Sequence, residues 1–112
     1  MSGWQEVATL AAFPESGLLD LAVGREVVLL LRLDDTVQAF QGLCPHQFAR
    51  LAEGRAADGW LHCPRHRARF AVSDGHCGAG WVLPPLRRYA VQVDAEGRIL
   101  LPDPLVPLPP AG

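Results

Sequence analysis

Two short segments constrain this chain more than any other feature: Cys44-Pro45-His46 and Cys63-Pro64-Arg65-His66. Each segment offers one thiolate and one imidazole from a turn that a proline stiffens, and residues 47–62 separate the two. A single cysteine or histidine is usually a core residue or a surface group. Two matched pairs within residues 44–66 are hard to attribute to chance, so the pattern predicts a metal centre gripped between two loops.

The order of the ligand types separates the candidate metals. A zinc site of two cysteines and two histidines usually places the cysteines roughly two to four residues apart and the histidines after them. Here the two types alternate, so each loop can give sulfur to one iron and nitrogen to the other. In one kind of [2Fe–2S] centre two imidazoles replace two thiolates on one iron. We therefore favour one such cluster over zinc, with Cys44, His46, Cys63 and His66 as its ligands.

The rest of the chain predicts an all-β fold. At 112 residues it suits a single domain, 1–112, and short apolar runs broken by turn residues dominate. The run Glu26–Leu33 is almost entirely apolar, which predicts a central strand covered on both faces. The predicted strands are Gln5–Ala8, Leu18–Ala22, Glu26–Leu33, Val37–Gln41, Trp60–His62, Arg69–Val72, Arg88–Asp94 and Arg98–Leu101, with a short helical turn within residues 9–16.

Two regions differ in texture from these strands. Residues 43–85 are rich in Gly, Pro, Arg, Cys and His, and such a long irregular region in a small domain is typical of a functional site. Residues 102–112 are rich in proline and are expected to lie extended along the body.

Charge and hydropathy exclude several classes of partner. The net charge of −2 argues against nucleic acid, and no apolar run is long enough to span a membrane. The N-terminus lacks the basic start and apolar run of a signal peptide, so we expect a cytoplasmic protein whose cysteines are reduced or bound to metal.

Positive charge gathers beside the candidate ligands. Residues 44–88 carry a net charge of +4, from seven arginines against three acids. Two interpretations remain open for Arg50, Arg65, Arg67 and Arg69: a solvated rim, partly paired with Glu53 or Asp58, or a docking patch for an acidic partner. Five further residues of this region are interpreted as packing or solvated groups: His62, His76, Cys77, Trp60 and Trp81.

The cysteine–histidine pattern resembles that of the Rieske ferredoxin family. Flanking residues extend the likeness over residues 4–101: Leu51-Ala52-Glu53-Gly54 is similar to a family turn after the first loop, and Phe70 with Asp74-Gly75 to one after the second. The resemblance implies stacked antiparallel sheets with a cluster-binding subdomain, residues 43–85, inserted between strands. It also implies that Cys44 and Cys63 bind the inner iron, that His46 and His66 bind the outer one, and that a third, proline-containing loop corresponds to Gly80–Pro85.

The resemblance also implies a function. Cys44-Pro45-His46-Gln47 and the chain length look most like the ferredoxin component of bacterial aromatic-ring mono-oxygenases or ring-hydroxylating dioxygenases. Such a component is an electron carrier and not an enzyme; it passes electrons from an NADH-dependent flavin reductase to a terminal oxygenase. We expect a monomer when it is free of these partners. The alternative is the Rieske-like small subunit of an assimilatory nitrite reductase.

Overall fold

The computed structural model describes residues 3–45, 48–65 and 68–109, and within them the chain forms three antiparallel sheets. The sheets have the strand orders β1–β10–β9, β2–β3–β4–β8 and β5–β6–β7, which confirms the predicted all-β fold. The strands are β1 (Gly3–Thr9), β2 (Leu18–Val23), β3 (Glu26–Leu33), β4 (Thr36–Gln41), β5 (Arg55–Ala57), β6 (Trp60–His62), β7 (Arg69–Ala71), β8 (Arg88–Tyr89), β9 (Gln92–Val93) and β10 (Arg98–Asp103), with single 3₁₀ turns at Leu10–Ala12 and Leu51–Glu53.

Strand β3 lies between β2 and β4 and separates two buried cores. Because side chains alternate across a strand, Leu29 and Leu31 enter the core that contains the cysteines of both loops, and Val28 and Leu30 enter a second core with β10. All four side chains are at most 1% exposed. Both faces of β3 are therefore covered, as its continuous apolar run predicts.

The small sheet of β5, β6 and β7 falls inside residues 43–85, between β4 and β8 in the chain. Its β6 strand ends at His62, directly before Cys63, and β4 ends at Gln41, shortly before Cys44. The two candidate ligand loops therefore leave strands of different sheets.

Two predictions about the chain need correction, and one strand was not predicted. Arg88–Asp94 is not one strand, because β8 pairs with β4 and β9 pairs with β10, so the chain changes sheets between them. Strand β5 was not predicted from Arg55-Ala56-Ala57, since its pairing with β6, rather than its own propensity, makes it a strand. Pro102 and Asp103 belong to β10 and pair with Trp4 and Gly3, so the tail begins after Asp103 rather than at residue 102.

The described part of the tail lies along the body, as expected. Its backbone follows the edge strand β8: the Ala90 N–H donates to the Val106 carbonyl at 2.9 Å, and the Leu108 N–H donates to the Arg88 carbonyl at 2.8 Å. Pro107 lies opposite Tyr89.

None of the helical segments in the described residues is long and apolar enough to cross a membrane.

Candidate cluster-binding site

Equivalent backbone hydrogen bonds close the two cysteine loops. The Cys44 N–H donates to the Ala49 carbonyl at 2.8 Å, and the Cys63 N–H donates to the Ala68 carbonyl at 3.0 Å. Each bond joins a cysteine to the alanine five positions later, and each loop has a proline directly after its cysteine. The repeated pattern in the sequence thus corresponds to two similar loops that both present a cysteine at their start.

Both cysteines lie in one buried core. Cys44 is 0% exposed and Cys63 is 5% exposed, and they share this core with Leu51, Leu61 and Phe70. Neither forms a disulfide within the described residues. Two thiols brought together in an apolar shell, without a disulfide between them, are suited to bind the inner side of an iron–sulfur cluster.

The predicted histidine ligands lie outside the described residues. His46 falls in the gap between Pro45 and Phe48, and His66 falls in the gap between Arg65 and Ala68. Within the described ranges no group of three or more Cys, His, Asp or Glu side chains is placed to hold a metal. The structure therefore brings together the two cysteines of the predicted ligand set, and the complete set stays a prediction.

Backbone contacts hold the first loop against the body. The Gly42 N–H donates to the Val27 carbonyl at 2.7 Å, and the Leu51 N–H donates to the Gly42 carbonyl at 2.9 Å. A Cβ on Gly42 would lie 2.5 Å from a methyl carbon of Val27, so this close approach requires glycine. The start of the loop is thereby fixed to strand β3.

An ion pair fixes the end of the same loop. The guanidinium of Arg50 donates two hydrogen bonds, at 2.8 and 2.7 Å, to the carboxylate of Asp20 on β2. The hydrogen bonds from Arg50 and the attraction between the two charges raise the pKa of this arginine above its ordinary value. No local sequence pattern signals the role of Asp20, because its partner lies 30 positions away.

Arg50 is therefore an exposed and paired residue, as the rim interpretation expects for part of this group, but its ion-pair partner is Asp20 and not Glu53 or Asp58. Arg69 is also engaged within the chain, since its guanidinium carbon lies 4.5 Å from the ring centroid of Trp60. Arg65 is exposed and has no ion-pair partner among the described residues, and Arg67 lies outside them.

Cys77 is packed and His76 is partly solvated, in line with the interpretation of these residues from the sequence. Cys77 is half-buried, with its sulfur 3.5 Å from the Gly78 carbonyl oxygen and 3.6 Å from that of Trp81. His76 is exposed on one side, hydrogen-bonded to Asp74 through its ring nitrogen and edge-on to Trp60. The backbone N–H of His76, and then its side chain, lower the pKa of Asp74.

The proline-containing segment 80–85 lies beside the first loop. Trp81 and Leu83 pack against the core that holds the cysteines. Pro84 and Pro85 line a groove of about 510 Å³ together with Pro45 and Phe48 of the first loop. Phe48 is 70% exposed, and sequence analysis did not single it out.

Comparison with known families identifies the class of the protein. Residues 3–90 match the family model of the Rieske [2Fe-2S] domain. The chain therefore belongs to the Rieske [2Fe–2S] domain family, and membership implies one Rieske cluster.

Similar proteins narrow the class further. The chain is 35% identical over 91 residues, 80% of its length and 71% of the relative's, to the ferredoxin component of the alkene monooxygenase system of Xanthobacter autotrophicus (strain ATCC BAA-1158 / Py2). It is 26% identical over 99 residues, 88% of its length and 91% of the relative's, to the anthranilate 1,2-dioxygenase ferredoxin subunit of Burkholderia cepacia.

Two solved structures agree with this similarity to ferredoxins of oxygenase systems. The ferredoxin of carbazole 1,9a-dioxygenase from Nocardioides aromaticivorans IC177 has a TM-score of 0.78 at 32% identity, covering 94% of this chain and 98% of that chain. A complex of reduced oxygenase and oxidized ferredoxin in carbazole 1,9a-dioxygenase matches with a TM-score of 0.75 at 26% identity, covering 87% of this chain and 90% of that chain. The prediction of an electron-carrying ferredoxin of an oxygenase system, not itself a catalyst, is confirmed.

Proposed function

We propose that this ferredoxin takes single electrons from an NADH-dependent flavin reductase and delivers them to the terminal oxygenase of an aromatic-ring mono-oxygenase or dioxygenase system. The observation that carries the proposal is the shared burial of Cys44 and Cys63 at the start of two similarly closed loops. When bound, a Rieske cluster supplies a one-electron carrier whose potential, roughly −150 to +300 mV, lies above that of plant-type ferredoxins.

The chain's own residues serve this role by holding and shielding the site. Cys44 and Cys63 are proposed to bind the cluster from the interior, with His46 and His66 as the two remaining ligands, within a cluster-binding subdomain at residues 43–85 of a single domain. The apolar side chains around the cysteines exclude water from the interior side, and the Asp20–Arg50 pair holds the first loop in place. We also assign the protein to the cytoplasm, as a monomer when it is free of its partners.

The ligand set is tested by spectroscopy with matched variants. Dithionite-reduced wild-type protein should give the electron paramagnetic resonance signal of a Rieske centre, with iron and acid-labile sulfide in equal amounts. Cys44→Ser, His46→Ala, Cys63→Ser and His66→Ala should each abolish that signal. Cys77→Ser and His76→Ala serve as matched controls and should retain it. Zinc in the purified protein, or an unchanged signal in both histidine variants at positions 46 and 66, would refute the ligand set.

Docking is proposed to rely on positive charge near the loop tips. The structure leaves Arg65 exposed and without an ion-pair partner among the described residues, whereas Arg50 and Arg69 already bind within the chain. We therefore assign the electrostatic role to Arg65, because exposed charges mainly raise the rate of association. Arg67 joins it as a candidate on its place in the sequence alone. Arg65→Gln should slow electron delivery and reduce its dependence on salt; Arg98→Gln, whose side chain binds Asp94, is the matched control and should do neither.

A further inference from the structure

We infer that the groove between the first cysteine loop and the proline segment is the docking site for an apolar side chain of the terminal oxygenase. Within this groove, Phe48 is the residue that makes the main contact with the oxygenase. This inference rests on the proposed function and names the surface through which that function is carried out. The docking groove is lined by the apolar side chains of Leu43, Pro45, Phe48, Pro84 and Pro85 and by charged residues at its rim.

The backbone of Phe48 is the first observation. Its φ angle is +57°, in the left-handed region that bulky side chains rarely adopt. The Phe48 N–H donates to the Cys44 carbonyl at 2.8 Å, and the loop closure between Cys44 and Ala49 follows directly, so the conformation is imposed by the loop. A glycine or asparagine would meet this conformation at lower cost, yet the chain places an aromatic ring here. Such strain points to a function for the side chain.

The exposure of Phe48 is the second observation. Its side chain is 70% exposed, whereas Phe40 and Phe70 are fully buried. A large exposed aromatic ring does not stabilise the free monomer, and aromatic side chains are enriched at the centres of protein interfaces. Pro45 and Pro84, which also line the groove, add rigid apolar surface that loses little entropy on binding.

The floor of the docking groove is already formed in the free protein. The side chain of Gln41 donates to the Leu43 carbonyl at 2.9 Å and accepts from the Arg87 N–H at 2.7 Å. The backbone of Gln41 also donates to the Arg87 carbonyl at 2.8 Å. These bonds join the end of β4, the start of the first loop and the segment before β8, so binding requires little rearrangement of the floor.

The charges at the rim indicate the character of the partner. Glu26 accepts a hydrogen bond from the Tyr89 hydroxyl at 3.2 Å and lies 3.7 Å from Arg87, so these two charges face each other. Arg25 is exposed and has no ion-pair partner among the described residues, which leaves one positive charge at this rim. The matching surface is therefore a protruding aliphatic or aromatic side chain with a carboxylate beside it.

The key variant is Phe48→Gly, because glycine removes the ring and also relieves the left-handed backbone. The probe is the terminal oxygenase component from the same organism. Stopped-flow oxidation of reduced ferredoxin by that oxygenase should slow, and the affinity of oxidised ferredoxin for it should fall, by about tenfold. The thermal midpoint should stay the same or rise, and oxidation by ferricyanide should not change. Trp4→Ser, at an aromatic residue 47% exposed on β1, is the matched control and should leave every rate unchanged.

The outcomes distinguish a failure of the proposed function from a failure of the docking inference. If the wild-type ferredoxin reduces no oxygenase, the proposed function fails. If it does, and Phe48→Gly transfers electrons and binds as the wild type does, the docking inference fails while the function stands. Slower reduction by the flavin reductase, with oxygenase binding unchanged, would overturn the choice of the oxygenase as occupant. Arg25→Glu should weaken oxygenase binding more at low salt than at high salt, and no such difference would refute the acidic partner surface.

Discussion

Gly54 offers the sharpest test of how the fold positions the site. It follows the 3₁₀ turn Leu51–Glu53 and precedes β5, and a Cβ built on it would lie 1.9 Å from the carbonyl oxygen of His62. His62 is the last residue of β6 and is followed by Cys63. Gly54→Ala must therefore push β6 away from the turn and shift the backbone that leads into the second cysteine loop.

The size of the effect follows from that contact. Side-chain Cβ atoms do not approach other heavy atoms closer than 3.0 Å, so the His62 carbonyl has to move by about 1 Å. Overpacking of this kind costs about 1–3 kcal/mol, which lowers the melting temperature of a domain of this size by about 4–12 °C. We also expect faster release of iron, since the displaced strand leads directly into Cys63.

The assay compares three glycines under one protocol. Circular dichroism reports the apparent melting midpoint, and the visible absorbance of the cluster reports iron release to a chelator. Gly3→Ala adds a Cβ with nothing within 4 Å and should change neither. Gly59→Ala also meets open space, but φ is +84° there, so it should lower the midpoint and leave iron release unchanged. Wild-type behaviour of Gly54→Ala in both measurements would contradict the role assigned to the contact between Gly54 and the His62 carbonyl.

Three further predictions concern the surroundings of the site. Phe70 is 0% exposed in the core with the cysteines, so Phe70→Ala should lower the free energy of unfolding, measured by chemical denaturation, by about 3–5 kcal/mol. A decrease below about 1 kcal/mol, which is typical of an exposed site, would contradict the core assignment. Arg50→Gln should release iron faster than wild type, whereas Arg98→Gln, which disrupts an ion pair of the body, should not. Folding lowers the pKa of Asp74, so Asp74→Asn should be less stable than the wild type at pH 7. This difference in stability should vanish as the pH falls from about 4 through the lower pKa of the folded state. A difference in stability that persists in acid would contradict the stabilising role of the Asp74 carboxylate.

Much of the fold was predictable because its signals are local. Strands β2 and β3 are mostly apolar runs, short turns join β2, β3 and β4, and the observed β3 has the predicted bounds. By contrast, β5 is a strand only through its pairing with β6, and the division of Arg88–Asp94 depends on which distant strands receive each half. Pairing across the chain is not encoded in a short window, so these features could not be predicted from it.

The site divides in the same way. The repeated cysteine–histidine pattern predicted that Cys44 and Cys63 would converge, and the structure buries both in one core. The roles of Asp20 and Phe48 were not predictable, because one depends on a contact 30 positions away and the other on a backbone angle. The arginines show the limit of reading charge from sequence, since Arg50 and Arg69 lie near the loops but are already bound by Asp20 and Trp60.

The proline-rich tail has a consequence for solubility. Because Val106 and Leu108 direct their backbone groups toward β8, the peptide nitrogens of Pro107 and Pro109 face outward, and proline has no N–H to donate. The tail thus completes the sheet with a border that another strand cannot easily extend. A sheet border with few free N–H donors is a poor template for aggregation, which helps a carrier protein to stay in solution between its encounters with partners.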